Sequence, residues 1–592
     1  MRSFQLRSLL LSTLLPLAVS ACANAGDETG DGIDDEFADG KADGAVASGS
    51  PEALAVLALV NDLAVTAEEL DDDARLYRTA AYNIIEHRDG DDGVPGTADD
   101  NPFDDLDELD RVSYVGPVAL NALLDYAIAN GYMPTAGDKQ LDVVFSPQPY
   151  ANSHNVRVAG LIDGAEHSLD IAMYSYSDAR ISTAIESAVD RGVKVRFIFD
   201  TAYADRSLTG SSFENSSSAR LERQGVNVRY VNKIMHHKFV IVDGPRDDEA
   251  RAATARIATG SGNWSNGAAT RYDENTLFLT GYPEMALRMQ REFNRMWDHS
   301  RDFVYDASLP YESSTFAISD ADVVAADDAT TDAVFTSSNF SVSGTTFRIT
   351  GANTVSDRYV AAIMGATESI EVASGHLRSR PIAEALIAKH EADPSVDIRV
   401  YLDGQEYLSE WYHNDQLDDL EDCLADASTE SQRRNCLDKG FLFAYQVHQA
   451  GIDVRFKYYS YRWHYSYAKQ MHHKYMIIDG DEVLTGSYNY SDNAEHNTFE
   501  NVLILEGAEL QPLVAAFSAN FDGMWDTGRA EGLLAELEDE VATASQIPLV
   551  FDAMALTWDE VTALKGLIRD NCSAINTEPY RLHPEDHWTC AR

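Results

Sequence analysis

The sequence is short of positive charge. Its 592 residues hold 46 lysines and arginines against 97 aspartates and glutamates, a formal net charge of -51. So negative a chain opposes non-specific attachment to a polyphosphate, and contact with one has to be made at a local basic site. Long apolar runs are missing too, since the run at residues 9–19 is too short to cross a bilayer permanently. Hydrophobic residues at 44% and charged residues at 24% are ordinary globular values, which excludes a disordered, collagen-like or polytopic membrane body. At roughly 150 residues per domain, the length calls for several domains or one large duplicated body.

Arg2 and Arg7 precede the apolar run, and small residues lead from it to Cys22, the layout of an export signal. Val19-Ser20-Ala21-Cys22 resembles the bacterial lipobox, whose cysteine is lipidated and becomes the mature N-terminus. The expectation is a lipoprotein signal over 1–22. The protein would then be exported, and either anchored through lipidated Cys22 to the bacterial cell envelope, at the outer membrane or cell surface, or secreted. Residues 23–50 are rich in Gly, Asp and Ala with one aromatic, too little apolar surface to order a chain, and read as a disordered acidic linker. Cysteine is otherwise scarce. The remaining four, Cys423, Cys436, Cys572 and Cys590, are even in number, so two disulfides are expected in an exported chain, and proximity favours Cys423 with Cys436 and Cys572 with Cys590.

Residues 51–135 read as a helical segment. Within it, Asp89, Asp91, Asp99 and Asp100 form either a calcium-binding loop without EF-hand spacing or a solvated acidic turn. Residues 106–127 read as helix, tight turn, helix, with Gly116-Pro117 at the turn. The pattern resembles a helix-hairpin-helix element, except that Tyr114 stands where a glycine is expected and no lysine follows, which favours packing over a nucleic-acid grip.

From residue 142 the chain repeats itself. Residues 168–200 parallel 369–403, each a β-branched strand, an amphipathic helix and a second strand; residues 224–244 parallel 450–480. Strands alternating with helices give an α/β layered sheet in each half, and two halves give a pseudo-twofold body. The chemistry lies where the copies match best. His236, Lys238 and Asp243 in the first, and His472, Lys474 and Asp479 in the second, both obey H-x-K-x4-D. The period of two in a strand puts His and Lys on one face and Asp on the other. Ser261 and Asn263 in Gly-Ser-x-Asn, then Glu274-Asn275, recur as Ser487 and Asn489, then Glu500-Asn501, with 13 positions from serine to glutamate in both copies. Each copy closes on Met-Trp-Asp, at 296–298 and 524–526.

This double pattern resembles the phospholipase D superfamily, with H-x-K-x4-D-x6-G-S-x-N used twice per active site. The resemblance implies two α/β/α sandwich repeats, over 142–305 and 330–530, followed by a C-terminal extension, 531–592, with a disulfide and no readable chemical motif. The second copy fits throughout; the first carries ten extra residues between Asp243 and Gly260, read as a loop that could alter access. The resemblance implies phosphodiester cleavage through a phosphohistidine, with His236 the nucleophile and His472 the acid that then activates water. Lys238, Lys474, Asn263 and Asn489 would hold the phosphoryl oxygens, with Ser261 and Ser487 near them. Glu274 and Glu500 would orient the imidazoles, while Asp243 and Asp479, in the motif but off its face, would brace the fold. Zinc at His236-His237 and His472-His473 is the competing chemistry. Adjacent strand residues face opposite ways and no cysteine completes a ligand set, so no metal or cofactor is expected. With both motifs in one chain, a monomer is expected. Export and acidity favour a phospholipid substrate, with a nuclease the alternative. Six aromatics at 458–467 suit either a membrane entrance, base stacking or plain packing.

Overall fold

A computed structural model describes residues 51–592 apart from 91, 98, 104–105, 131, 133–138, 320–322 and 324–329. The signal, Cys22, the linker and Asp91 lie outside the described residues. The first half supplies β1 (Gln140–Ser146), β2 (Ser168–Met173), β3 (Lys194–Phe199), β4 (Asn227–Tyr230), β5 (Lys238–Val242), β6 (Arg256–Gly260), β7 (Glu274–Thr280) and β8 (Arg301–Asp302). The second supplies β9 (Thr331–Phe335), β10 (Ser369–Ser374), β11 (Asp397–Asp403), β12 (Asp453–Ser460), β13 (Lys474–Ile478), β14 (Glu482–Gly486), β15 (Asn501–Glu506) and β16 (Val550–Thr557). Sheet order is β1-β7-β6-β5-β2-β3-β4-β8 in one and β9-β15-β14-β13-β10-β11-β12-β16 in the other, the same topology strand for strand. In both, the second, third and fourth strands run parallel and the rest antiparallel. The duplicated α/β architecture read from the sequence is the one observed.

Both sheets are covered on two faces, which is why their central strands are near-continuous apolar runs. β2 is buried along its whole length. Period two then sorts the side chains. Val240 and Val242 of β5 join helices His154–Asp163 and Ala179–Asp190 on the outer side, and Met476 and Ile478 of β13 join Thr354–Gly365 and Arg380–Ala392. Phe239 and Ile241, with Tyr475 and Ile477, enter one core shared between the halves. The helices ending in Met-Trp-Asp, Pro283–Asp298 and Gln511–Trp525, run through that core, with Trp297 and Trp525 both buried. At about 25 cal/mol per Å² of apolar surface removed from water, such a seam disfavours separation of the halves.

The sequence boundary at 530 is corrected. Residues 531–592 are no appendage, because β16 completes the second sheet as β8 does the first, pairing antiparallel with β12. Helices Leu533–Thr543 and Trp558–Asn571 flank β16, and a disulfide joins Cys572 to Cys590; the other joins Cys423 to Cys436. The extra residues of the first copy leave β5 at the end away from His236, about 16 Å along at 3.3 Å per residue. There the turn Glu249–Ala253 packs against helix Pro51–Asn61 of the N-terminal segment. The insertion therefore docks that segment and does not border the histidines.

The N-terminal helices bury their own core around Leu59, Leu70, Ile84 and Leu109. Asp89 receives the buried Arg88 guanidinium at 2.7 Å, and Asp100 accepts the amides of Gly96 and Thr97, the bonding of an acidic turn. Helix Pro117–Ala129 starts where expected, and Tyr114 has φ +74°, the left-handed conformation that explains why glycine is usual there.

Candidate active site

Backbone pairing between the halves builds the site. The short segment Ile234–Met235, just before His236, pairs in parallel with Thr498–Phe499, just before Glu500. By the same pseudo-twofold, Met471 pairs with Asp273, and the His472 amide donates to the Asp273 carbonyl at 3.0 Å. Each histidine is thereby carried to the glutamate of the opposite copy. His236 Nδ1 lies 2.9 Å from Glu500 Oε2, and His472 Nδ1 lies 2.8 Å from Glu274 Oε1.

The lysines follow on the same face. Lys238 Nζ donates to the His236 carbonyl at 2.6 Å and Lys474 Nζ to the His472 carbonyl at 2.7 Å, leaving each ammonium with further protons to donate. Tyr174 closes one side, its ring 4.7 Å from that of His236. The glycines of Gly-Ser-x-Asn are fixed by close approach, since a Cβ at Gly260 would lie 2.2 Å from the Asn275 carbonyl oxygen and one at Gly486 2.2 Å from that of Asn501. Ser487 Oγ donates to Glu500 at 2.7 Å, while Ser261 Oγ accepts the Asn275 amide at 2.9 Å. Asn263 and Asn489 each keep a buried side-chain oxygen with no partner within the protein.

Burial sets the electrostatics. Glu274 and Glu500 are fully buried, and loss of solvent pushes each up to about 7 against the pull of the lysines. Burial also brings Lys238 down to about 7 and Lys474 to about 8, and holds both histidines well below their ordinary value, with the neighbouring ammoniums adding to the effect. One glutamate and one lysine from each half, groups that hold fixed charge in water, are thus brought by burial close to neutrality.

Asp243 and Asp479, which share the motif with the four His and Lys residues, lie outside this cluster. Both sit past the far end of their strands at φ near +50°. Asp243 accepts the amides of Glu166, His167 and Ser168, and Asp479 those of Thr367, Glu368 and Ser369. These bonds hold the turn before the second strand of each sheet, and backbone amides with Arg256 draw Asp243 below the usual carboxylate range. Asp243→Ala is expected to cost about 2–3 kcal/mol of stability, as loss of charge-assisted bonds does. A folded value below the unfolded one stabilises above about pH 4 and is lost as pH falls through the folded value, so urea denaturation should show the deficit at pH 7 and a smaller one at pH 3.

The second histidines are committed elsewhere, His237 Nε2 to Glu292 at 3.2 Å and His473 Nδ1 to Asn275 at 3.1 Å. They offer no paired metal site with their neighbours. Four more polar residues support the site: Asp200 and Asp403, not singled out in the sequence, and Asn275 and Asn501, which follow the two glutamates in the repeat without an assigned role. Asp200 and Asp403 accept the Met235 and Met471 amides at 2.9 Å, holding the residue before each histidine. Both end the matched β3 and β11 segments, a visible signal. Asn275 and Asn501 donate across the seam to Thr485 and Thr259, each at 2.8 Å. The halves differ beside the lysines: Gly375 takes the place of Tyr174, each amide donating to the carbonyl of the second histidine, and the next residue, His376, is held by buried Glu406 at 3.0 Å with Arg378 on the same carboxylate.

Fold and site together define a duplicated α/β protein of the phospholipase D superfamily, with one histidine-lysine centre assembled from both copies. A family model described as "Cardiolipin synthase, PLD-like domain" matches residues 158–297 and 359–525, and the chain belongs to that family. It is similar to the mitochondrial cardiolipin hydrolases of Danio rerio, 32% identical over 139 residues, and Xenopus tropicalis, 31% over 162 residues. Those matches cover 23% and 27% of this chain and 53% and 69% of the relatives, so the chain spans about half to two thirds of the curated relatives it matches. Among solved structures, it is similar to the phospholipase D family member Nuc from Salmonella typhimurium, with 27% identity, TM-score 0.23, and coverage of 28% of this chain and 99% of that one. A second is the phosphatidylserine synthase of Haemophilus influenzae, with 11% identity, TM-score 0.43, and coverage of 64% and 86%.

Proposed function

We propose that the protein is a phosphodiesterase that cleaves phospholipid headgroups. The reading rests on the crossed pairs His236–Glu500 and His472–Glu274 with both lysines beside them. In this scheme His236 Nε2 attacks phosphorus, forming a P–N bond as the P–O bond to the leaving alcohol breaks. His472, which takes up a proton once the substrate's negative charge offsets the neighbouring ammoniums, delivers it to that alkoxide, then takes one from water, whose oxygen displaces His236 and returns it free. Lys238, Lys474, Asn263 and Asn489 hold the non-bridging oxygens as charge builds on them, and the glutamates steady each imidazolium. The names of the relatives and of the matched family, cardiolipin hydrolase and cardiolipin synthase, support a lipid diester as substrate.

The test is direct. Purified protein with vesicles of phosphatidylcholine, phosphatidylethanolamine or cardiolipin should release phosphatidic acid or, from cardiolipin, its cleavage products. Nicking of plasmid DNA at physiological salt with no lipid product would replace this reading by the nuclease.

Of the aromatics at 458–467, Tyr458, Tyr459, Tyr461 and Tyr467 are buried, whereas Trp463 and Tyr465 are exposed by 36% and 68%. Packing accounts for the first four, and the two exposed rings are the ones proposed to meet a membrane. Trp463→Ser with Tyr465→Ser should lower activity on vesicles about tenfold, the loss of one to two kcal/mol of interfacial burial, and leave a soluble short-chain diester unaffected. Equal loss on both substrates would refute the interfacial role. Export and anchoring through a diacylated Cys22 belong to the same proposal. Mass analysis of the native N-terminus should find the acyl chains, and an unmodified N-terminus beyond Cys22 would contradict it.

A further inference from the structure

The chain beyond residue 530 completes two adjoining cavities of ≈ 390 and ≈ 730 Å³. Tyr407, Tyr461, Arg462, Lys565 and Arg581 wall both. Arg569 adds a further guanidinium to the larger one, whose lining also includes Asp415.

What marks this place is that several cations meet at one cavity without a carboxylate partner among the described residues. Arg88, Arg196, Arg246 and Arg399 each have a carboxylate partner. Among the described residues, Arg462, Lys565, Arg569 and Arg581 have none within ion-pair distance, although the chain holds 97 acidic residues. Lys565 Nζ stands 4.4 Å over the Tyr461 ring and donates to the neutral Tyr461 carbonyl at 2.9 Å, and Arg462 donates to the Ile575 carbonyl at 3.2 Å. Burial, and then the like charges of Arg462 and Arg569, pull Lys565 down to about 8. Cations gathered without counter-charge cost folding energy that an anion in the cavity returns. Guanidinium forks on either side of an ammonium match the tetrahedral, multiply charged oxygens of a phosphate. Trp463 in the smaller cavity and Tyr412 in the larger are exposed by 36% and 60%, so the cavities open to solvent beside aromatic rings.

We propose that these joined cavities bind a phosphate group through Arg462, Lys565 and Arg581, apart from the histidine centre. The phosphate belongs either to an anionic lipid headgroup or to a soluble phosphate ester.

Binding is measured with His472→Ala protein, so that the outcome does not depend on any catalytic reading. Calorimetry with inorganic phosphate and glycerol phosphate forms one arm. Co-sedimentation with phosphatidylcholine vesicles, with and without phosphatidic acid, forms the other. Binding in either arm should weaken at least tenfold when Lys565→Met and Arg581→Gln are added, with the melting temperature monitored; if that protein does not fold, Arg462→Gln serves in its place. Binding confined to the acidic vesicles assigns the lipid headgroup, and binding of the soluble phosphates without vesicles assigns the ester. Equal binding with and without the cationic substitutions, or no binding of any probe by the protein that retains them, overturns the proposal.

Discussion

His236→Ala and His472→Ala should each lower turnover on the order of 10³- to 10⁴-fold, the loss seen when a nucleophile or its acid partner is removed from a unit that acts together. Neither imidazole has a substitute. His237 and His473, the adjacent rings, are turned away and bonded to Glu292 and Asn275. Since the two histidines come from different copies and share one site, the double variant should be scarcely worse than either single one. Initial-rate kinetics on a soluble diester would show this. Two separable activities, each abolished by one substitution alone, would instead mean that each copy works by itself. Circular dichroism should find both variants folded, because the backbone pairing of Ile234–Met235 with Thr498–Phe499 does not use the side chain of His236.

Glu274→Gln with Glu500→Gln is the second large effect, expected at about 10² to 10⁴ in kcat by the precedent of the carboxylate behind a catalytic histidine. A buried glutamine cannot offset an imidazolium, so the phosphohistidine and the proton on the acid both lose support. The pH profile carries the sign. Burial lifts Glu274 and Glu500 to about 7, so below that pH the charged carboxylates are lost and kcat/KM falls. Burial brings Lys238 to about 7 and Lys474 to about 8, so above that pH the phosphate-holding charge is lost and kcat/KM falls again. The native profile should therefore be a narrow bell centred near neutrality, and the double glutamine variant should lose its acid limb while keeping the basic one. Persistence of the acid limb in that variant would assign it to the histidines.

Much of this was legible because repetition makes weak signals strong. A lone H-x-K or G-S-x-N fits any strand or turn, but two ordered copies with equal serine-to-glutamate spacing single out the histidines, lysines and glutamates that the fold joins. Asp243 and Asp479 lie in the motif for a different reason, the capture of three amides apiece in a turn with positive φ. The period of two already sets them off the reactive face, but which amides they hold is decided only by the fold. Asp200 and Asp403 were overlooked although both copies show them, because their role is to hold an amide on a neighbouring strand, a contact with no periodic trace.

The sequence by itself determined the α/β class, the duplication, the order of strands and helices and the residue types of the site, all of which follow from local periodicity and from a motif that repeats. Tertiary structure alone decided which glutamate serves which histidine, since His236 and Glu500 are 264 positions apart and meet only through pairing between the halves. It also decided that the last residues complete the second sheet and that four unpaired cations meet around one cavity. Sheet edges and cavities are made by packing distant segments, and the physical reason they leave no pattern along the chain is that packing depends on distance in space, whereas periodicity records only distance in sequence.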